Sequence, residues 1–118
     1  MKSRIRVALL NKAGEVFADD ELIRLLSIIA QHGSINHAAK IAGMSYMKAV
    51  SLLNRLEASL SFPVLTRKAG GRGGGGARLT AEGHAFIQSF IRYQQSVMKS
   101  AAKELGKYLP GLKRQLVK

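Results

Sequence analysis

Apolar residues recur at helical spacing in four stretches of the chain, and short alternating stretches lie before and between them. The first stretch predicts a helix over residues 20–32, because its apolar positions fall on one face of a 3.6-residue period. That face consists of Leu22, Leu25, Leu26 and Ile29. Asp19 is a good N-cap, and the acids Asp20 and Glu21 suit the positive end of the helix dipole.

Two further helices follow after short breaks, each with a glycine and a serine before it. Gly33 and Ser34 precede a short helix over residues 35–42, and Gly43 and Ser45 precede a third helix that reaches about Leu60. Two helices joined by a tight turn that contains glycine are typical of a helix-turn-helix motif.

The third helix has two faces of different chemistry. Its apolar face recurs at i, i+4, i+7 and i+11 and must point inward; it consists of Ala49, Leu53, Leu56 and Leu60. The opposite face carries Met47, Ser51 and Asn54, flanked by Lys48 and Arg55. A small, mostly polar face without acids suits insertion into the major groove of DNA, where base edges offer donors and acceptors.

Extended segments are predicted on both sides of these helices. Residues 4–18 alternate around turn chemistry at residues 12–15, which predicts a β-hairpin. Strands are predicted at residues 62–67 and 78–80, and the segment 70–76 between them contains six glycines. Two strands joined by a basic loop directly after a recognition helix are typical of the wing of a winged helix-turn-helix domain.

A long amphipathic helix ends the predicted fold. Thr80 caps it, it spans residues 81–109, and Pro110 with Gly111 terminates it. A helix this long extends beyond so small a domain, so its distal apolar stripe needs a partner. A second copy of the chain is the expected partner. The first helix is apolar beyond one face, so it is also expected at the dimer contact. The predicted dimerisation residues are Leu22, Ile23, Leu26, Val97, Ala101 and Leu105.

The predicted fold class is mainly α with a small β component: a winged helix-turn-helix with an N-terminal hairpin and a long C-terminal dimerisation helix. The length of 118 residues allows one domain, predicted over residues 1–109. Its parts are the first helix at 19–32, the helix-turn-helix at 34–60, the wing at 62–80 and the long helix at 81–109. A basic tail occupies residues 110–118.

The charge balance points to a polyanionic partner. The chain has 19 Lys and Arg against 7 Asp and Glu, a net charge of +12. No acid occurs within residues 22–56 or 58–81, so nucleic acid or an anionic membrane surface is the expected partner, and a merely solvated basic surface is the alternative. No apolar run is long enough for a membrane span or a signal peptide, and the chain has no cysteine, so a cytoplasmic location is expected.

The residues expected to contact double-stranded DNA lie on the helix-turn-helix and the wing. They are Ser34, Ser45, Tyr46, Met47, Lys48, Ser51, Asn54, Arg55, Arg67, Lys68, Arg72 and Arg78. Two of them have a competing interpretation: the Tyr46 hydroxyl contacts a phosphate or the ring packs on the first helix, and Met47 touches a thymine methyl or is simply exposed. Lys48 and Arg55 are favoured because the local sequence offers them no acidic partner.

Enzymatic and cofactor chemistry find little support. The glycine segment lacks the Gly-Lys-Ser/Thr that a nucleotide-binding P-loop requires, so its backbone contacts DNA phosphate or merely makes a tight turn. His32, His37 and His84 have no metal-ligand spacing. We therefore expect no enzyme, no metal and no cofactor, and no small-molecule effector site is evident.

Several motifs resemble the N-terminal DNA-binding domain of the ModE family of molybdate-responsive regulators, which is related to the LysR-type regulators. They are Gly33-Ser34-Ile35, Ala38-Ala39-Lys40, Gly43-Met44-Ser45-Tyr46, the glycine-rich segment from Gly70 to Thr80, and Glu82-Gly83. The glycine wing is the most specific of them. Val50 stands where the family usually has tryptophan, which we interpret as a packing change.

The resemblance implies a transcriptional regulator that binds an inverted-repeat operator as a homodimer. The oxyanion-binding domains of full-length ModE are absent from the chain, so a stand-alone form is expected and molybdate sensing is not implied. Two other functions remain open at this point: an architectural, nucleoid-type DNA binder with little sequence preference, and a protein-interaction module.

Overall fold

The computed structural model describes residues 3–68 and 76–110, which form four helices and two short antiparallel hairpins. In chain order the elements are β1 (Leu9–Leu10), β2 (Val16–Ala18), α1 (Asp20–His32), α2 (Ile35–Ala42), α3 (Tyr46–Ser59), β3 (Leu65–Arg67), β4 (Ala77–Leu79) and α4 (Ala81–Tyr108). The predicted fold class, mainly α with a small β component and a winged helix-turn-helix, is confirmed.

Each helix begins at the cap residue that the sequence indicates. The side chains of Asp19, Ser34, Ser45 and Thr80 accept hydrogen bonds from backbone N–H groups in the first turns of their helices. Gly33 and Gly43 end α1 and α2 with φ of 70° and 74°, a left-handed conformation that glycine adopts without steric cost. These caps fix the angles at which α1, α2 and α3 meet.

The N-terminal hairpin is shorter than predicted. Pairing begins only at Leu9, which lies opposite Ala18, while residues 4–8 are not in a strand. The backbone N–H of Ile5 instead lies 3.3 Å from the Met98 sulfur on α4. The predicted turn is present, because the Asn11 side chain accepts hydrogen bonds from the backbone of Ala13 and Glu15. The segment before β1 therefore contacts α4 at Ile5 and does not extend the hairpin.

Helix α1 lies at the centre of the molecule, and this contradicts part of the predicted dimer contact. Leu22, Ile23 and Leu26 are buried within the single chain, with exposed fractions of 1%, 8% and 0%. The reason is that α1 is covered by α2, α3, α4 and strands of both hairpins, so it needs an apolar surface wider than one face. These three residues stabilise the chain's own core and are not available to a partner.

Helix α4 leaves the core after its first three turns. Its buried residues are Gly83, Ile87 and Phe90, and no described residue beyond Phe90 is buried. At 28 residues the helix is about 42 Å long, and the chain accordingly extends over 61 Å in its longest dimension. None of the described helices combines the length and the apolar character needed to span a membrane.

Candidate nucleic-acid interface

The recognition helix α3 is held by a buried stripe that fixes which side chains face outward. Ala49, Leu53 and Leu56 are fully buried, and Leu60 is half-buried at the C-cap. Met47 and Asn54 are exposed seven residues apart, and Ser51 is exposed between them. The three side chains therefore share one outward face, as the sequence predicts.

The turn before α3 is held by backbone and side-chain hydrogen bonds, which define the position of this face. The backbone N–H of Gly43 bonds to carbonyls at the end of α2, and Met44 N–H bonds to the Ala39 carbonyl at 3.0 Å. Ser45 Oγ accepts from Lys48 N–H at 3.0 Å. A preorganised recognition helix loses little conformational entropy on binding.

Two of the predicted contact residues act as helix caps in the free protein. Ser34 Oγ accepts from His37 N–H at 3.1 Å, and Ser45 caps α3. A serine hydroxyl that accepts a hydrogen bond can still donate its own proton, so each cap remains able to donate to a phosphate oxygen. Helix N-termini favour such contacts with anions.

The cations of α3 have intramolecular partners, which corrects the expectation drawn from the local sequence. Lys48 Nζ lies 3.0 Å from Glu21 Oε2, although the two residues are 27 positions apart. Arg55 Nη1 donates to the Val16 carbonyl oxygen at 3.2 Å. Both cations are exposed, and the guanidinium group of Arg55 has further donors for a second acceptor.

The wing lies next to the turn between α1 and α2. Strands β3 and β4 pair from Leu65–Leu79 to Arg67–Ala77, and Ala77 N–H donates to the Gly33 carbonyl at 2.9 Å. At the other side, Arg67 Nη1 lies 3.2 Å from Glu57 Oε1 on α3. The base of the wing is therefore attached both to the α1–α2 turn and to the recognition helix.

The remaining wing cations are at the surface where they are described. Lys68 and Arg78 are exposed, and the Lys68 backbone N–H donates to Gly76 at 2.8 Å, which extends the pairing towards the loop. Arg72 and the glycines at 70–75 lie outside the described residues. Tyr46 is 51% exposed at the first position of α3, so its ring is on the surface beside Met47.

The histidines do not form a metal centre within the described residues. His32, His37 and His84 are exposed, and the His32 and His37 rings lie with their centroids 4.9 Å apart. Within residues 3–68 and 76–110, no three potential ligands come close enough together to hold a metal ion.

Sequence reasoning missed the acids that hold these cations. Glu21 and Glu57 pair with Lys48 and Arg67 across elements, and periodicity within one helix carries no information about such contacts. A signal was present in hindsight: Glu21 lies in a cluster of acids, and Glu57 is the one acid in residues 22–81.

A capped helix pair, an exposed acid-free face on its second helix and an adjoining two-stranded wing define the winged helix-turn-helix class of DNA-binding domains. Residues 21–84 match the family model described as bacterial regulatory helix-turn-helix protein, lysR family. The chain belongs to this family. The family is one of regulatory helix-turn-helix proteins, and several relatives are named as transcriptional regulators, not as enzymes.

The chain is also similar to ModE-type regulators, which confirms the resemblance. It is 42% identical over 86 residues to the DNA-binding transcriptional dual regulator ModE of Escherichia coli K12, covering 73% of this chain and 33% of that protein. It is 40% identical over 91 residues to the molybdenum-pterin-binding protein MopA of Rhodobacter capsulatus, covering 77% and 34%. It is 35% identical over 96 residues to the molybdenum transport protein ModE of Azotobacter vinelandii, covering 78% and 35%. The chain spans about a third of the length of these curated relatives.

Proposed function

We propose that this chain binds an inverted-repeat operator as a homodimer and thereby regulates transcription. The observation that carries the proposal is the outward face of α3, which is acid-free and stands beside a basic wing. Ser51 and Asn54 on this face have the donors and acceptors needed to read base edges. Lys48, Arg55, Lys68 and Arg78 surround it and are suited to phosphates.

Sequence-specific reading fits this surface better than general DNA binding. Asp19, Asp20 and Glu21 lie at the start of α1, and Glu21 reaches the recognition helix at Lys48. Negative charge at that place weakens indiscriminate attraction to phosphates. A protein that only coats DNA gains from a uniformly basic surface, whereas this one combines a polar reading face with nearby acids.

The homodimer part of the proposal rests on α4. Val97, Ala101 and Leu105 form a half-exposed stripe on the distal part of α4, where no described residue is buried. A homodimer that pairs these stripes around a two-fold axis is expected to read an inverted repeat whose half-sites lie about one helical turn, or a multiple of it, apart.

The proposal includes no small-molecule effector. Two relatives have molybdenum in their names, so molybdate is the ligand to test. We expect that adding molybdate leaves the affinity of this chain for DNA unchanged. The proposal includes a cytoplasmic location, where operator DNA lies.

Binding-site selection from randomised duplexes, followed by affinity measurements at one fixed salt concentration, tests the proposal. We expect one enriched inverted repeat, bound at least about 10³-fold more tightly than random DNA. Asn54→Ala should weaken binding by about 1–3 kcal/mol on the selected site and by much less on random DNA. Gln88→Ala makes the same truncation of an amide at an exposed position of α4 and is the control. It should change neither the affinity for the selected site nor the affinity for random DNA. A specificity ratio near one would indicate an architectural DNA binder instead, and no binding at low salt would indicate a protein-interaction module.

A further inference from the structure

Three large apolar side chains are exposed around the turn that leads into the recognition helix. Met47 is 74% exposed, Tyr46 is 51% exposed, and Ile41 at the end of α2 is 43% exposed. Met47 stands out, since it occupies the first turn of α3 on the same face as Ser51 and Asn54. Covering such an exposed apolar side chain with a partner removes apolar surface from water and therefore favours binding.

The surroundings of Met47 indicate which partner that is. Lys48 follows it, Lys40 lies beside Ile41, and both lysines are exposed. Tyr46 to Leu56 contains no acid. A cationic rim around an apolar side chain fits the major groove, whose walls are phosphates, better than an apolar surface of another protein.

The chemistry of Met47 narrows the contact further. Its thioether has no hydrogen-bond donor and only a weak acceptor, so it cannot read bases by the hydrogen bonds available to Ser51 and Asn54. The one apolar group that a base presents in the major groove is the C5-methyl of thymine. An unbranched, flexible methionine adapts well to such a small target.

We propose that Met47 contacts the C5-methyl group of a thymine in each operator half-site and thereby selects thymine at that position. This inference rests on the proposed function, because it requires α3 to lie in the major groove. Asn54 is seven residues further along α3, or about 10.5 Å along the helix axis. With base pairs spaced by about 3.4 Å, the thymine should lie within about three base pairs of the base read by Asn54.

The test replaces thymine by deoxyuridine, which removes only the methyl group and leaves base pairing intact. Each thymine of the selected operator is replaced in turn, and the affinities of the wild type, Met47→Ala and Met47→Leu are measured. In each half-site we expect one thymine whose replacement by deoxyuridine lowers the affinity of the wild type about three- to fivefold. This is the effect expected for the loss of one buried methyl-sized group. Met47→Ala should bind thymine and deoxyuridine equally there, while Met47→Leu should keep part of the preference.

The outcomes separate this inference from the proposed function. If an operator is enriched but every deoxyuridine substitution affects the wild type and Met47→Ala alike, then Met47 does not read a methyl group and the inference is wrong. If no operator is enriched at all, the proposed function itself fails. A methyl effect that Met47→Ala retains and Ile41→Ala or Tyr46→Ala removes would also overturn the assignment to Met47.

Discussion

At the scale of single residues, two of the cations expected at the DNA interface form ion pairs with acids from other elements. The ion pair of Lys48 and Glu21 leaves about half of each side chain exposed, at 51% and 47%. Arg67 and Glu57 are similarly near the surface, at 45% and 23%. Exposed pairs of this kind stabilise a fold by about 0–1 kcal/mol. We expect a larger effect on DNA binding, because a phosphate would have to compete with a carboxylate for the same cation.

Removing the acid should therefore strengthen DNA binding. In Glu21→Gln, Lys48 loses its competing partner and the recognition helix loses a negative charge beside it. We expect affinity for selected and random DNA to rise about two- to fivefold at low salt, and the gain to shrink as salt screens the charges. Fluorescence anisotropy at several salt concentrations measures this effect.

Glu104→Gln is the control, because it makes the same change in net charge on the exposed distal part of α4. It should raise affinity much less. If Glu21→Gln weakened binding instead, the ion pair would be positioning Lys48 for its phosphate, and the competition described above would be wrong.

At the scale of elements, the wing and α4 are joined by an unusually close approach. Thr80 Oγ1 donates to the Pro63 carbonyl at 2.7 Å and accepts from Gly83 N–H at 2.9 Å. A Cβ placed on Gly83 would clash with the Val64 carbonyl oxygen, which is backbone and cannot turn away. Glycine at this position lets the first turn of α4 contact the backbone at Val64, just before β3.

Alanine at position 83 should therefore destabilise the protein although it favours helix. We expect Gly83→Ala to lower the free energy of unfolding by about 1–3 kcal/mol, because the backbone at Val64, just before β3, must shift. Gly106→Ala is the matched control on the same helix: nothing lies within 4 Å of its added Cβ, so helix propensity should raise stability by about 0.5–1 kcal/mol. Urea unfolding at one fixed protein concentration measures both. Equal stabilities for the two variants would mean that α4 and the wing are not in close contact.

At the scale of the whole molecule, the sequence predicts what lies within one element and fails where elements meet. The caps at Ser34 and Ser45 and the buried stripe of α3 follow from local chemistry. The burial of Ile23 does not, because nothing in its own helix shows that α1 is covered on several sides. Likewise the partners of Lys48 and Arg55 lie 27 and 39 residues away. The spacing of residues along the chain predicts which side chains share a face of a helix. Which other elements cover that face depends on tertiary packing, which the spacing does not show.

The proposed homodimer is also a property of the whole molecule. Its formation should depend only on the α4 stripe of Val97, Ala101 and Leu105. We expect Val97→Glu combined with Leu105→Glu to convert the dimer to a monomer, because two carboxylates per chain would be buried without partners. Gln95→Glu with Ala102→Glu adds the same charge to exposed positions away from the stripe and should leave the dimer intact. Sedimentation equilibrium at micromolar concentration gives both masses. A wild-type monomer would refute the homodimer, and circular dichroism confirms that each variant remains folded.

The last prediction concerns the electrostatic contribution of the wing to DNA binding as a whole. Lys68 and Arg78 are exposed on its two sides, and their alanine variants remove charge without touching an apolar stripe, so the fold should be unaffected. Each phosphate contact adds about 0.9 to the slope of log affinity against log salt. The double variant Lys68→Ala/Arg78→Ala should therefore flatten that slope by about two units per protomer and weaken binding to all sequences to a similar degree. Lys99→Ala/Lys103→Ala removes the same charge from α4 and should leave the slope near that of the wild type, because these lysines lie away from the recognition helix. If the wing variant kept the wild-type slope, its cations would not contact phosphate, and binding would depend on the recognition helix and its flanks alone.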